Sequence, residues 1–217
     1  SPGHIDFDPF WARMAESGTP FLLHVGGAPL QQAKAWMNNG RGLVADWMGG
    51  GENLRTKDIA ILHQGPETFL SVMLIDGVFE RFPTLRGASV ELGAGWVPSL
   101  LTRMDWVAKN WIRADKNQTP FSRKPSETLT SQMAFTPFVF EDVGVLIDQS
   151  SPDLYLFSSD YPHVEGGRDP IKRFEGFLGE RSDAVREAFY AENFLRIFPD
   201  ARVPEPNGRV GAEALTA

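Results

Sequence analysis

The sequence predicts an α/β fold in which consecutive βα units lie on a parallel sheet, as in a (β/α) barrel. Three observations lead there. Short apolar runs alternate with stretches of helical periodicity, the pattern of strands buried on both faces and their crossover helices. A chemically versatile side chain stands at the end of three of those runs. Across 217 residues there is no internal repeat and no domain-sized shift of composition, so a single domain is expected. Three or four βα units amount to about half of a barrel of ~250 residues, and four units cannot close one alone.

The elements follow in order. Asp8-Pro9 opens a helix, with a carboxylate cap and proline in the first turn, and Gly18 ends it. Residues 20–25, Pro20-Phe21-Leu22-Leu23-His24-Val25, read as a buried strand closed by Gly26-Gly27. Residues 26–65 read as a long loop rich in glycine and tryptophan, of the kind that is usually functional. A helix is expected over 67–82, a strand over 86–92 and a long amphipathic helix over 96–111. After a polar connection come a short helix at 127–133, a weakly patterned strand at 134–138 and a helix at 141–149. Leu154-Tyr155-Leu156-Phe157 has the clearest strand pattern, and helices are expected at 169–178 and 182–197. The barrel-like domain spans 1–198; the tail 199–217, with Pro204, Pro206, Gly208 and Gly211, lacks periodicity and is expected to be disordered.

Bulk properties narrow the function. The formal net charge of −7, with no lysine or arginine run, argues against nucleic acid or an anionic membrane as partner. A small-molecule substrate is compatible with it. The absence of cysteine removes disulfides, thiolate metal sites and a cysteine nucleophile from this chain. No run reaches the ~18–20 apolar residues of a membrane span, and the default location is cytoplasmic. The chain opens at Ser1, in a Pro2-Gly3-His4 stretch that reads as the middle of a loop, so an upstream portion is expected.

His24 ends the first apolar run, Glu91 ends the second and Asp160 follows the last. In a (β/α) barrel those ends open on one face, where such groups could hold a divalent metal or share acid–base work. Each alone could equally be a lone polar cap. His163, three residues beyond Asp160, could face the same mouth, and His63 precedes a helix on the same side. Trp36, Trp47 and Trp96 could wall an apolar pocket, with core packing as the other reading. Gly49-Gly50-Gly51 and Gly166-Gly167 lack the spacing and lysine of a phosphate loop, and Ser158-Ser159 lacks a nucleophile-elbow context.

Four segments taken together resemble one family. They are Phe21-Leu22-Leu23-His24-Val25-Gly26-Gly27, Gly77-Val78-Phe79-Glu80-Arg81-Phe82-Pro83, Glu91-Leu92-Gly93-Ala94-Gly95-Trp96-Val97-Pro98 and Ser158-Ser159-Asp160-Tyr161-Pro162-His163, joined by the closing Glu192-Asn193-Phe194. From about residue 8 to 198 the chain is similar to the amidohydrolase-related (amidohydrolase 2) family, which includes aminocarboxymuconate-semialdehyde decarboxylase. The resemblance implies a (β/α)8 barrel, of which this chain supplies about the last four βα units. It implies a divalent metal, expected to be zinc, with His24 and Asp160 as ligands; the first-strand ligands have no counterpart here. Asp160, Glu91 and His163 are the expected catalytic groups, and His63 and Trp96 the expected substrate contacts. The family's decarboxylases carry histidine where this chain has Glu91. The first expectation is therefore a hydrolase of a small amide, ester or lactone. A non-oxidative decarboxylase is the alternative, and a catalytically inactive fragment or binding partner a third. Assembly as a homo-oligomer, or pairing with a missing N-terminal half, is expected.

Overall fold

A computed structural model of the chain describes residues 1–25, 36, 38–41, 56–115, 118, 120–163 and 166–201. Most of the expected loop 26–65, with Trp47, and nearly all of the expected tail lie outside the described residues. Among those described, β1 (Phe21–His24), β2 (Gly87–Val90) and β3 (Met133–Phe135) form one sheet in that order. Both pairings are parallel, as the βα alternation predicts. The register aligns Phe21 with Gly87 and Met133, and Leu22 with Ala88 and Ala134.

Helices fill the connections. α1 (Asp8–Ser17) precedes β1; α2 (Thr56–Ile61), α3 (Gln64–Ile75) and α4 (Val78–Arg81) lead to β2. α5 (Val97–Asn110) and α6 (Pro125–Gln132) lead to β3, followed by α7 (Val143–Gln149). Three elements depart from expectation. The helix expected over 67–82 starts at Gln64 and breaks at Gly77, whose φ of 72° is left-handed and cannot continue an α-helix. A helical turn, α2, occupies part of the expected loop. The strand expected over 154–157 reduces to one parallel bridge, Phe135 with Tyr155, completed by the Leu156 N–H bonding the Phe135 carbonyl at 2.9 Å. The last helical stretch comprises α8 (Pro170–Leu178), α9 (Asp183–Glu187), a π-turn (Ala188–Glu192) and α10 (Asn193–Ile197).

Alternation along the strands separates two faces. Phe21, Met133, Phe135 and Tyr155 point into the main core with Leu70, Met73, Phe79, Leu100, Phe174 and Phe189. Fully burying such a side chain stabilises by roughly 1.5–3 kcal/mol, so this face carries most of the packing energy. Gly87 is required there: a Cβ would lie 2.6 Å from the Phe21 ring lying across it. The other face is lined by small residues. Ala88 and Ala134 pack with Leu156, Ile197, Val90 and Phe198, while Leu22 in the same row is 52% exposed on edge strand β1.

Two polar anchors hold the end of the sheet. The Tyr155 hydroxyl lies 2.7 Å from the Ser150 hydroxyl and donates to the Leu146 carbonyl; burial pushes its pKa up to about 12, so it stays a donor. Buried Asn193 donates to the carbonyls of Pro152 (2.8 Å) and Tyr155 (2.9 Å), which gives the Glu192-Asn193-Phe194 motif a structural reason: it ties the last helix to the fourth strand segment. Asn193→Ala leaves both carbonyls without that donor and is expected to lower stability by roughly 1–3 kcal/mol. Urea unfolding of the intact protein reads this directly; an unchanged midpoint would show that the tie is not needed. No helix among the described residues is long and apolar enough to cross a membrane.

Candidate metal centre

Four of the predicted groups stand near the strand ends: Glu91, Asp160 and His163 cluster, while His24 reaches that cluster through Glu91 and is not among the mutually close ligand atoms with Asp160. His24 is the last residue of β1, Glu91 follows β2, and Asp160 and His163 lie in the turn after the fourth strand segment. Glu91 is the hub. One of its oxygens, Oε2, is 3.0 Å from His24 Nε2, and Oε1 is 3.5 Å from His163 Nδ1. His163 Nδ1 is also 3.8 Å from Asp160 Oδ1. Ligand-type atoms of Glu91, Asp160 and His163 all lie within 4.8 Å of one another. The carboxylates are the sheltered members, with side chains 10% exposed for Glu91 and 19% for Asp160, against 57% for His24 and 41% for His163. Sheltered anions under an open pair of imidazoles make a site that a cation reaches from solvent.

Backbone conformation is unusual at the same two carboxylates. Among the described residues, the non-glycine residues with positive φ are Glu91 (56°) and Asp160 (54°). A left-handed conformation costs an L-residue about 1–2 kcal/mol, so surrounding contacts must enforce it. For Glu91 the enforcing contact is Thr136, whose hydroxyl accepts the Glu91 N–H at 3.1 Å. For Asp160 it is a tight turn, closed by the His163 N–H on the Asp160 carbonyl at 2.8 Å. Gly166 then lies against that turn, where a Cβ would come within 2.1 Å of the Ser159 carbonyl.

The arrangement fits a divalent ion. Two ligand atoms about 2.1 Å from one ion lie roughly 3.0 Å apart at a right angle and roughly 3.4 Å apart at the tetrahedral angle. The 3.0 Å and 3.5 Å contacts of Glu91 have those spacings. The tautomer of His24 agrees. Its Nδ1 is 2.5 Å from the Val25 carbonyl, which can only accept, so Nδ1 carries the hydrogen. Nε2 then presents a lone pair to the Glu91 carboxylate. A cation between them, either a metal ion or a ring proton, resolves that clash of acceptors.

Two expected substrate contacts do not join the cluster. His63 stands directly before α3 without a side-chain capping bond, and its ion pair is with Glu67 at 3.9 Å, which also pairs with Arg103. Trp96, at 9% exposure, is in the core: its ring meets Phe135 edge-on at 5.5 Å, and its indole N–H donates to the Gly93 carbonyl at 2.9 Å. The indole finds its acceptor in the turn after Glu91, so it supports that turn from beneath rather than lining a pocket. Trp36 is exposed. The sequence reading overlooked Thr136, Phe138 and Val139, which line a small pocket with Glu91, Ser158 and Asp160. Thr136 directly follows β3, so the strand-end rule applied to that weak strand would have found it.

A parallel α/β sheet with imidazoles and carboxylates converging at the strand ends is the layout of metal-dependent α/β barrel enzymes. The chain belongs to the amidohydrolase family: a sequence profile described as Amidohydrolase matches residues 1–199. Among solved structures it is similar to an amidohydrolase from Mycobacterium avium subsp. paratuberculosis K-10, with 27% identity and a TM-score of 0.72 over 91% of this chain and 47% of that one. It also shares its fold with 5-carboxyvanillate decarboxylase from Sphingomonas paucimobilis, at 20% identity and TM-score 0.62, over 91% of this chain and 54% of that one. A dihydroxybenzoic acid decarboxylase from Polaromonas sp. JS666, solved with bound manganese and the inhibitor 2-nitroresorcinol, aligns at 20% identity and TM-score 0.62 over 93% and 56%. The chain thus spans about half the length of these relatives. No curated protein sequence matches.

The packing of Gly166 generates a test. Gly166→Ala must push the Asp160 turn aside, at a cost of roughly 1–3 kcal/mol, and is expected to lower metal uptake together with melting temperature. Metal analysis of the purified variant decides: full occupancy would mean that Asp160 holds its place without this contact.

Proposed function

We propose that this chain forms the last four βα units of a (β/α)8 barrel enzyme, and that His24, Glu91, Asp160 and His163 belong to its metal centre. Support for the half-barrel comes from the coverage of about half of each relative, the edge position of β1 and the exposure of Leu22 on the small-residue face. The remaining units, or a second copy of the chain, would cover that face. The proposed substrate is a small molecule, and the proposed reaction is hydrolysis of an amide, ester or lactone.

The observation that carries this reading is Glu91, a sheltered carboxylate between two imidazoles and beside Asp160. His24 and Asp160 would hold the ion, with Glu91 and His163 close enough to complete the set. Zinc suits such nitrogen and oxygen ligands, and manganese is bound in the Polaromonas relative. When bound, the ion supplies Lewis acidity and brings the pKa of water toward neutrality. Asp160 accepts the proton of the attacking water. Glu91 and His163 orient the substrate, and His163, when protonated, can return a proton to the leaving group.

The second reading is non-oxidative decarboxylation, favoured by the decarboxylases among the relatives. Glu91, if kept protonated by its shelter, would then deliver a proton to the carbon that loses carbon dioxide.

Substitutions in the intact protein separate these roles. His24→Ala deletes a neutral ligand, so metal occupancy is expected to fall and added metal to restore part of the activity. Asp160→Asn keeps an oxygen ligand but removes the proton acceptor; turnover is expected to fall by roughly 10²–10⁴-fold while metal remains. Wild-type turnover in both variants would remove the proposed site. Glu91→Gln is expected to raise KM in a hydrolase and to abolish turnover in a decarboxylase, read out by product analysis on amide, ester, lactone and aromatic acid substrates.

A further inference from the structure

Glu141 lies outside the cluster yet joins the two loops that build it. Its carboxylate accepts three backbone N–H groups: Ala94 at 2.9 Å, Gly95 at 2.7 Å and Phe138 at 2.7 Å. Ala94 and Gly95 belong to the turn that Glu91 opens. Phe138 belongs to the segment after β3, which also supplies Thr136, the acceptor of the Glu91 N–H. Phe138 lines the small pocket with Glu91 and Asp160. Hydrogen bonds to an ionised acceptor are about twice as strong as neutral ones, and three on one carboxylate fix both loops to each other.

The surroundings are shaped for that carboxylate. A Cβ on Gly95 would come within 2.8 Å of Glu141 Oε1, and one on Gly93 within 3.2 Å. Helix capping does not account for Glu141. The cap of α7 is Asp142, whose side chain accepts the Val145 N–H at 3.0 Å. Nor does Glu141 neutralise a cation: among the described residues no ion pair involves it.

We propose that Glu141 is a positioning residue of the metal centre: by clamping the Glu91 turn to the Thr136–Phe138 segment, it holds the left-handed Glu91 with its carboxylate between His24 and His163. This rests on the reading of Glu91, Asp160 and His163 as a metal centre. The clamp acts before any ion arrives, so its loss weakens metal binding by misplacing a ligand.

The test uses the intact protein and the variants Glu141→Gln and Asp105→Asn. Glutamine keeps the size but replaces one acceptor oxygen with a donor that opposes a backbone N–H. Asp105 is a matched control: it likewise holds a backbone N–H, that of Ser126 at 2.8 Å, but contacts no member of the cluster. Zinc affinity is measured by competition with a chromogenic chelator, and amide hydrogen exchange is followed at Ala94, Gly95 and Phe138. Glu141→Gln is expected to speed exchange at those amides and to weaken zinc binding by about 10–100-fold, the usual cost of losing a group that orients a ligand. Asp105→Asn should lower the melting temperature with zinc affinity unchanged. Wild-type zinc affinity in Glu141→Gln, or an equal loss in Asp105→Asn, overturns the positioning role and leaves the metal centre standing. Wild-type protein that takes up neither zinc nor manganese overturns the metal centre itself, and the positioning role with it.

Discussion

The position of the Glu91 carboxylate is the constraint on which the rest of the site depends. A carboxylate at 10% exposure is stable only where hydrogen bonds or positive charge replace the water it has lost. Glu91 lies between two imidazoles, His24 and His163, each facing a different oxygen, and a cation shared with them would meet that requirement. Reaching that position demands a left-handed backbone, and the neighbouring structure supplies the holding contacts. Thr136 takes the backbone N–H, and Trp96 grips the Gly93 carbonyl from the core side. The turn after β2 is therefore organised around one side chain.

The sheet divides labour between its faces. Phe21, Phe135 and Tyr155 sink into the helices and supply cohesion, while Ala88 and Ala134 keep the opposite face shallow. His24 lies in the same alternating row as Leu22, on the shallow face, so its imidazole is presented to the open side rather than the core. Stability and chemistry are thus assigned to alternate residues of the same strand.

In the proposed function the reaction would turn on Glu91: ionised, it would accept and orient, as hydrolysis requires; protonated, it would be a donor suited to carbon. Neither role would change the framework, because the shelter, the left-handed backbone and the two neighbouring imidazoles are common to both.

Much of this was legible in the sequence because it is local. The βα alternation and the placement of His24, Glu91 and Asp160 near strand ends follow from short-range pattern, and the structure repeats them. The expected Asp8 cap is a correction: Asp8 is the first residue of α1, Phe7 holds the cap position without a side-chain bond, and the Asp8 carboxylate pairs with Arg81 at 2.9 Å. Other features were not legible. Gly77 breaks a helix that periodicity alone would continue, since its left-handed conformation serves the approach to β2. The weak pattern of Met133–Phe135 is a central strand because neighbours on both sides pair with it. Trp96 turns inward because its indole finds the Gly93 carbonyl there. By itself the sequence determined which groups stand at the strand ends, because position along a strand is set by residues next to one another. Only the tertiary structure decided that Glu91 lies between the two histidines. That meeting depends on the register between β1 and β2 and on two left-handed turns, the one at Glu91 held by Thr136 from far along the chain and the one at Asp160 closed locally by His163.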